Sequence, residues 1–264
     1  MPTPSLTQTH LTLLATCPRK FQHIFINSFS PPPDPDLQAS ATWGNQFHLL
    51  MQQQALALPI TVMEPVDTEM TACLTQLRKT APELFKAPPA DWQHQSETQR
   101  NRAFNGYLLV VIYDLLRIGP NQAEIVDWKT YQQTPKREWI ENDWQTRLYL
   151  FVLAETSGLS PQQLSMTYWF VRSKHPDTQQ PQPESYRFSY SQAQHDQTRD
   201  DLHRLTAKLS ALIAQGADFS QVDESSGKCD RCPFARRCDR AGTPEAGTVS
   251  PLNLNVDAIA EVVL

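Results

Sequence analysis

Two carboxylates and a lysine fall within a short, strongly apolar part of the chain. Asp114 interrupts the apolar run 107–118, and Asp127 and Lys129 follow in the next apolar segment, 124–130. A carboxylate buried among such neighbours is costly unless it is paired, so Asp114 needs a partner. Asp127 and Lys129 are two residues apart, which places them on one face of a strand. The three residues therefore predict either a divalent-metal site with an adjacent cation or a structural Asp–Lys pair in the core.

The elements that must position these residues can be predicted from residue type and periodicity. Both apolar segments are rich in β-branched and aromatic residues, and Gly119-Pro-Asn-Gln122 between them is typical of a turn, so we expect a β-hairpin in a buried sheet. Apolar residues at helical spacing predict helices over 40–56 and from a cap at Asn142 through Glu155. Further elements are expected as follows: a short helix capped by Ser5 and running through Leu14, a helix over 67–81, a polar strand or an exposed hairpin arm over 92–104, paired strands at 164–172 and 186–190, and a long helix over 191–215.

Composition limits the kind of protein and the partners that it can have. The 264 residues allow one large domain or two small ones, and 40% hydrophobic residues can form a sizeable core. The net charge of −5 gives no general basic field, so a nucleic-acid partner would have to meet local positive charge. The sequence has no long apolar run and no basic segment followed by an apolar one near Met1. We therefore expect no membrane span, no signal peptide and a cytoplasmic location.

Four of the five cysteines have the spacing of a metal site. Cys229 and Cys232 form a CxxC pair, Cys238 follows, and Cys17 lies far upstream beside a proline. Four thiolates can hold one tetrahedral zinc or one iron–sulfur cluster, and structural disulfides are not expected in the cytosol. The alternative is that these are ordinary free cysteines. Cys73, within the predicted 67–81 helix, is expected to be a small core residue.

Taken together and in order, these motifs resemble a known family. They are Cys17-Pro-Arg-Lys-Phe21, Gly44-Asn-Gln-Phe-His48, the strand that carries Asp114, Asp127-Trp-Lys129, Gln145-Thr-Arg-Leu-Tyr149, and the cysteines 229, 232 and 238. The sequence resembles RecB-like nucleases of the PD-(D/E)XK superfamily over about Leu11 to Cys238. The cysteine set is similar to that of the iron–sulfur branch, which includes the AddB nuclease domain and the exonucleases of CRISPR adaptation.

The resemblance implies a fold and a role for each matching position. The implied fold is α/β (α+β), restriction-endonuclease-like, with a central mixed sheet flanked by helices and a cysteine-stapled C-terminal segment. Residues 1–240 would form the nuclease domain and 241–264 a tail. By this resemblance, His48, Asp114 and Asp127 bind Mg²⁺ or Mn²⁺, and Lys129 acts with the two aspartates in catalysis by positioning or polarising the attacking water. Gln145 and Tyr149 contact DNA and support the lysine. Cys17, Cys229, Cys232 and Cys238 hold a [4Fe–4S] cluster, with zinc as the alternative.

The expected function is therefore metal-dependent hydrolysis of phosphodiester bonds in DNA, as an exonuclease of DNA repair, recombination or CRISPR-type processing. Such complexes would supply protein partners in addition to DNA. One feature departs from the family, because Leu109 stands where the aspartate that follows the motif glycine is usual, three positions after Gly106. Asp114 is the better candidate for this metal-binding aspartate, because its spacing from Asp127 suits a hairpin and the family. Glu97 and Glu124 are reserve carboxylates. The alternatives are a catalytically degenerate relative that binds DNA, or a structural subunit whose four cysteines hold zinc.

Overall fold

A six-stranded mixed sheet forms the centre of the chain. The computed structural model describes residues 3–31, 35–58 and 67–240. The strands are β1 (Ser5–Leu6), β2 (Gln93–Phe104), β3 (Tyr107–Ile118), β4 (Ala123–Lys129), β5 (Leu164–Phe170) and β6 (Glu184–Ser189). Their order is β1-β3-β4-β5-β6, with β2 paired to β3. The pairs β1–β3 and β4–β5 are parallel, and β2–β3, β3–β4 and β5–β6 are antiparallel.

Helices cover both faces of this sheet. They are α1 (Gln8–Thr16), α2 (Pro18–Phe21), α3 (Pro35–Ala55), α4 (Thr68–Thr80), α5 (Arg137–Glu141), α6 (Trp144–Ser157) and α7 (Gln192–Gln215), with a π-helical turn at Gln22–Ile26 after α2. Short 3₁₀ turns lie at Pro82–Phe85, Pro161–Gln163, Glu224–Ser226 and Arg236–Cys238. Within the described ranges, no helix combines the length and the apolar character needed to cross a bilayer.

Each face of the sheet has its own hydrophobic core. One core joins α1, α6 and α7 to the sheet through residues such as Leu14, Phe151 and Leu202. The other packs α3 and α4 against β4 and β5, with Phe47 and Met70 fully buried. This arrangement of a mixed sheet between helical layers confirms the α/β fold class that the sequence predicts.

The predicted elements are present, but several boundaries differ. Ser5 does not cap a helix, because it belongs to β1 and Thr7 is the N-cap of α1. The helix predicted from residue 40 already begins at Pro35, a residue well suited to a first helical turn. Asp143 caps α6 in place of Asn142, and its carboxylate accepts the backbone N–H of Gln145 at 2.7 Å. The proposed tail, 241–264, lies outside the described residues.

The alternation of side chains along β3 breaks at Asp114. Val111 and Tyr113 point into the core beneath α6, and strict alternation would place Leu115 there too. Instead Leu115 joins the core beneath α3, and Leu116 joins the core beneath α6. The grouping of these two leucines expected from strict alternation is therefore wrong. The break isolates Asp114 between the two cores.

Candidate active site

The two predicted aspartates lie just beyond the point where β3 and β4 separate. Ladder pairing of the two strands ends at Leu115 and Val126, so the residues beyond it can admit side chains between the strands. Asp114 bridges this opening, because its Oδ2 accepts the backbone N–H of Trp128 at 2.8 Å. That bond supplies a partner for a largely buried carboxylate.

Helix α3 delivers His48 to Asp114. The His48 Nδ1 lies 3.4 Å from Asp114 Oδ1. One turn earlier, a Cβ on Gly44 would lie only 3.0 Å from Thr130 Oγ1, so glycine lets the helix approach the end of β4 closely. Burial acts to lower the pKa of His48, but the Asp114 carboxylate outweighs it and raises that pKa to about 9. The pKa of Asp114 is lowered: burial opposes ionisation, and His48 and the Trp128 amide overcome it.

Asp127 and Lys129 form a buried ion pair on the face that α6 covers. Lys129 Nζ lies 2.8 Å from Asp127 Oδ1 and donates to Gln145 Oε1 at 2.7 Å. The Gln145 amide also donates to Asp127 Oδ2 at 2.7 Å, which closes a three-residue ring. Burial raises the pKa of Asp127 to about 6, against the attraction of Lys129. Burial alone would lower the pKa of Lys129, but Asp127, Tyr131 and Asp114 together raise it above its ordinary value.

A third carboxylate stands beside His48 and Asp114. This is Glu97 on β2. One carboxylate oxygen of Glu97, one carboxylate oxygen of Asp114 and one ring nitrogen of His48 all lie within 4.8 Å of one another. The sequence offers Glu97 only as a reserve carboxylate within the predicted polar segment 92–104. Partial burial, followed by the charge of Asp114, raises the pKa of Glu97 to about 7. Asp127 is not in this group of three, because it faces Lys129 and Gln145.

The donor set of this opening fits a hard divalent cation. Carboxylate oxygens suit Mg²⁺ and Mn²⁺, and an imidazole nitrogen favours Mn²⁺ over Mg²⁺. Two carboxylates and one imidazole already converge, and Asp127 lies close enough for the charge of Asp114 to raise its pKa. Within the described ranges, this is the one group of three histidine, cysteine, aspartate or glutamate side chains with metal-site spacing.

Other residues singled out in the sequence lie elsewhere. Tyr149 is only 4% exposed and packs edge-on against Tyr113 in the core, and the DNA contact expected of it stays a prediction. Glu124 pairs with Arg117 at the other end of β4 and is not part of the site. Arg172, just beyond β5, is buried and stacks on the Trp43 ring at 4.3 Å.

The four predicted cysteine ligands are brought into one region. The pKa of the Cys232 thiol is raised by burial and by the neighbouring Cys17 and Cys229, and that of Cys238 is raised by burial and then by Cys232 and Cys17. Cys238 Sγ also lies 3.5 Å from the His23 ring. No three of the described cysteine sulfurs lie within 4.8 Å of one another. Tetrahedral zinc, with Zn–S of about 2.3 Å, would require closer spacing.

Comparison with known proteins gives the family. The sequence model of the PD-(D/E)XK nuclease superfamily matches residues 5–239. No curated protein matches the chain. Among solved structures, SSO0001 is 13% identical, with 92% of this chain and 90% of that chain covered and a TM-score of 0.43. A protein of Eubacterium rectale, named as a candidate exonuclease, is 12% identical, with 96% and 94% covered and a TM-score of 0.48. Because both scores are below 0.5, the assignment rests on the sequence match. The chain belongs to the PD-(D/E)XK nuclease superfamily.

Proposed function

We propose that this chain is a Mg²⁺- or Mn²⁺-dependent deoxyribonuclease. We further propose that it acts as an exonuclease in DNA repair, recombination or CRISPR-type processing. The observation that carries the proposal is the position of Lys129. This lysine is buried, held by Asp127 and Gln145, and set at the opening that also contains Asp114 and His48. A buried cation beside converging metal-ligand side chains has a clear use in phosphodiester hydrolysis.

Each side chain has a defined task in that reaction. His48, Asp114 and Asp127 would hold the cation, which when bound lowers the pKa of water and stabilises charge on the phosphate. Lys129 has three N–H donors, and its ammonium group pairs with Asp127 and donates to Gln145. A remaining N–H can orient the attacking water or contact a phosphate oxygen. Gln145 keeps the ammonium in place, because its amide links the lysine to the aspartate.

The buried position of Leu109 supports an active enzyme over a degenerate one. Leu109 is fully buried in the core beneath α6. A carboxylate introduced there would enter that core, so Leu109 does not mark a lost metal ligand. Asp114, which contacts His48 and the backbone of Trp128, takes the ligand's place in the proposed site.

The assay for this function uses end-labelled single-stranded and double-stranded DNA with Mn²⁺, Mg²⁺ or EDTA. We expect cleavage with either cation, shortening from the ends, and none in EDTA. Asp114→Asn and Asp127→Asn should each abolish cleavage, whereas Leu109→Asp should not increase it. Arg204→Gln, an exposed change on α7, is the control. Wild-type inactivity on every substrate would favour the degenerate relative, and cleavage in EDTA would contradict metal dependence.

We also propose that Cys17, Cys229, Cys232 and Cys238 hold a [4Fe–4S] cluster. The proximity of the four thiols supports a shared site, and the similarity of the cysteine set to that of the iron–sulfur branch supports a cluster. A cluster binds each thiolate to a different iron, which tolerates wider separation. Anaerobically purified protein should be coloured and contain iron and sulfide. One equivalent of zinc without visible absorbance would keep the shared site and reject the cluster.

A further inference from the structure

Glu97 interrupts the pairing between β2 and β3 directly beside the proposed metal site. The register pairs Ser96 with Leu115 and Thr98 with Tyr113, so Glu97 occupies the position across from Asp114. Its φ is +49°, a left-handed conformation that is uncommon for a residue other than glycine. The Ser96 hydroxyl donates to the Asp114 carbonyl oxygen at 2.9 Å at this point of the ladder.

This local distortion places a carboxylate where a structural role would not require one. Glu97 is exposed. One of its carboxylate oxygens lies within 4.8 Å of a ligand atom of His48 and of a ligand atom of Asp114. No hydrogen bond or ion pair of Glu97 is seen within the described part of the chain that would explain its conformation. A strained, non-glycine residue persists when its surroundings or its function require it.

We propose that Glu97 is a direct ligand of the divalent cation, contributed by β2, together with His48 and Asp114. The proposal rests on the metal-dependent function above. With Asp127, the ligand set is then drawn from four elements, α3, β2, β3 and β4, and Asp127 also holds Lys129. A ligand on β2 also places the ion beside a strand none of whose residues is buried.

Calorimetric titration of Mn²⁺ tests this assignment without reference to cleavage. The full chain, freed of adventitious cations on a chelating resin, is compared as wild type, Glu97→Gln, Glu97→Gly and Glu184→Gln. Glu184 is exposed on the edge strand β6 and provides the matched control. We expect both Glu97 variants to bind Mn²⁺ at least tenfold more weakly, and Glu184→Gln to match wild type. Glu97→Gly accommodates the left-handed backbone, so it guards against a folding defect.

The stability of the metal-free variants gives a second readout. If Glu97 is a ligand, its removal relieves repulsion with Asp114, so metal-free Glu97→Gly should melt at or above the wild-type temperature and lose most of the upward shift that Mn²⁺ gives wild type. Equal Mn²⁺ affinity in wild type and both Glu97 variants would overturn the assignment while leaving the nuclease proposal standing. Absence of Mn²⁺ binding by wild type would overturn both. Binding without cleavage would reject the nuclease function, and the affinities would still decide the role of Glu97.

Discussion

At the scale of single residues, the buried Asp127–Lys129 pair is the feature that combines stability with chemistry. Lys129 and Asp127 are both almost fully buried, and Gln145 bonds to each of them. Removing one partner of a buried ion pair leaves an uncompensated charge, which is far more costly than the net worth of the intact pair. A loss of activity on mutation of either residue therefore has to be separated from a loss of folding.

Lys129→Ala should reduce the free energy of unfolding by about 3–5 kcal/mol, because it leaves the Asp127 carboxylate buried and unpaired. In an Asp127→Asn background, Lys129→Ala should reduce the free energy of unfolding by at least about 2 kcal/mol less than in wild type, since the carboxylate charge at position 127 is already absent. Urea unfolding of the four proteins in EDTA measures both values. Lys208→Ala, an exposed change on α7, is the control. Equal costs in the two backgrounds would show that the pair is not coupled.

The sequence predicted which residues form this site better than it predicted which of them contact each other. Spacing alone brought together Asp114, Asp127 and Lys129, and alternation placed the last two on one face. It could not show that Asp114 would pair with His48 and not with Lys129, because that depends on where helix α3 crosses the sheet. Nor could it rank Glu97 above Glu124, since the strand break that distinguishes them appears only in the β2–β3 register.

At the scale of elements, the close approach of α3 to β4 sets the position of His48. A Cβ at Gly44 would meet Thr130 Oγ1 at 3.0 Å. Alanine is favoured over glycine inside a helix by about 1 kcal/mol, whereas overpacking typically costs about 1–3 kcal/mol. The two effects have opposite sign, so the net result reports how rigidly the helix is held against the strand.

Gly44→Ala should therefore be neutral or destabilising by up to about 2 kcal/mol in the wild-type chain. In a Thr130→Ala background, where the hydroxyl is gone, the same change should stabilise the protein by up to about 1 kcal/mol. Denaturant unfolding measures both, and Mn²⁺ affinity should fall in Gly44→Ala and recover in the double variant as His48 returns to Asp114. Stabilisation by Gly44→Ala alone would mean that the contact is not tight.

The start of α1 has an unusual cap whose strength should depend on pH. Thr7 donates its backbone N–H to His10 Nδ1 at 3.3 Å, which requires a neutral imidazole, and the ring stacks on Phe25 with centroids 3.9 Å apart. Burial lowers the pKa of His10 to about 4, below its ordinary value of 6.5. Above pH 6.5 the ring is neutral in both states. Between pH 6.5 and about 4 the unfolded chain takes up a proton that the folded chain resists, so stability falls as the pH falls.

His10→Gln should remove this contribution, since glutamine at the same position can accept the Thr7 N–H without titrating. At roughly 1.4 kcal/mol per pKa unit, wild type should lose up to about 3 kcal/mol more than the variant between pH 6.5 and 4. Unfolding free energies across this range supply the comparison. Parallel curves for the two proteins would contradict the assignment of the effect to His10.

Regular elements were predictable because their residues carry the period of the structure. The hairpin of β3 and β4 and the stripe of α7 follow directly from residue type and spacing. Departures from periodicity were not predictable, and the break at Asp114 is the clearest case. Leu115 and Leu116 are both leucines, so nothing in their chemistry shows which one faces which core.

At the scale of the whole molecule, the C-terminal segment closes onto the N-terminal helices by contacts other than the cysteines. The backbone N–H of Arg19 donates to the Ser220 carbonyl oxygen at 3.1 Å, and the Arg19 side chain pairs with Asp218. The Phe219 N–H donates to Gln22 Oε1 at 3.0 Å. Ends separated by about two hundred residues are thereby joined. Closing so long a loop is entropically costly, and ligation by a shared metal group would offset that cost.

Cys17→Ser should test this closure more cleanly than a change within the C-terminal loop, because it removes one ligand and leaves the loop sequence intact. We expect loss of bound iron or zinc and a loss of several kcal/mol of stability, since ligand-driven closure is part of the folding energy. Metal analysis and denaturant unfolding measure the two effects. Cys73→Ala is the matched control: Cys73 is fully buried in the core beneath α3, so its loss should lower stability slightly while metal content stays at the wild-type level.

Limited proteolysis shows how far the closure of Cys17→Ser is lost. The hydrogen bonds of Arg19 and Gln22 should keep part of the segment in place. Trypsin should therefore cut Cys17→Ser after the exposed Arg231 at least tenfold faster than it cuts wild type, yet leave the sheet intact. Wild-type metal content and wild-type proteolysis in Cys17→Ser would show that Cys17 is not a ligand and that side-chain and backbone contacts alone close the molecule.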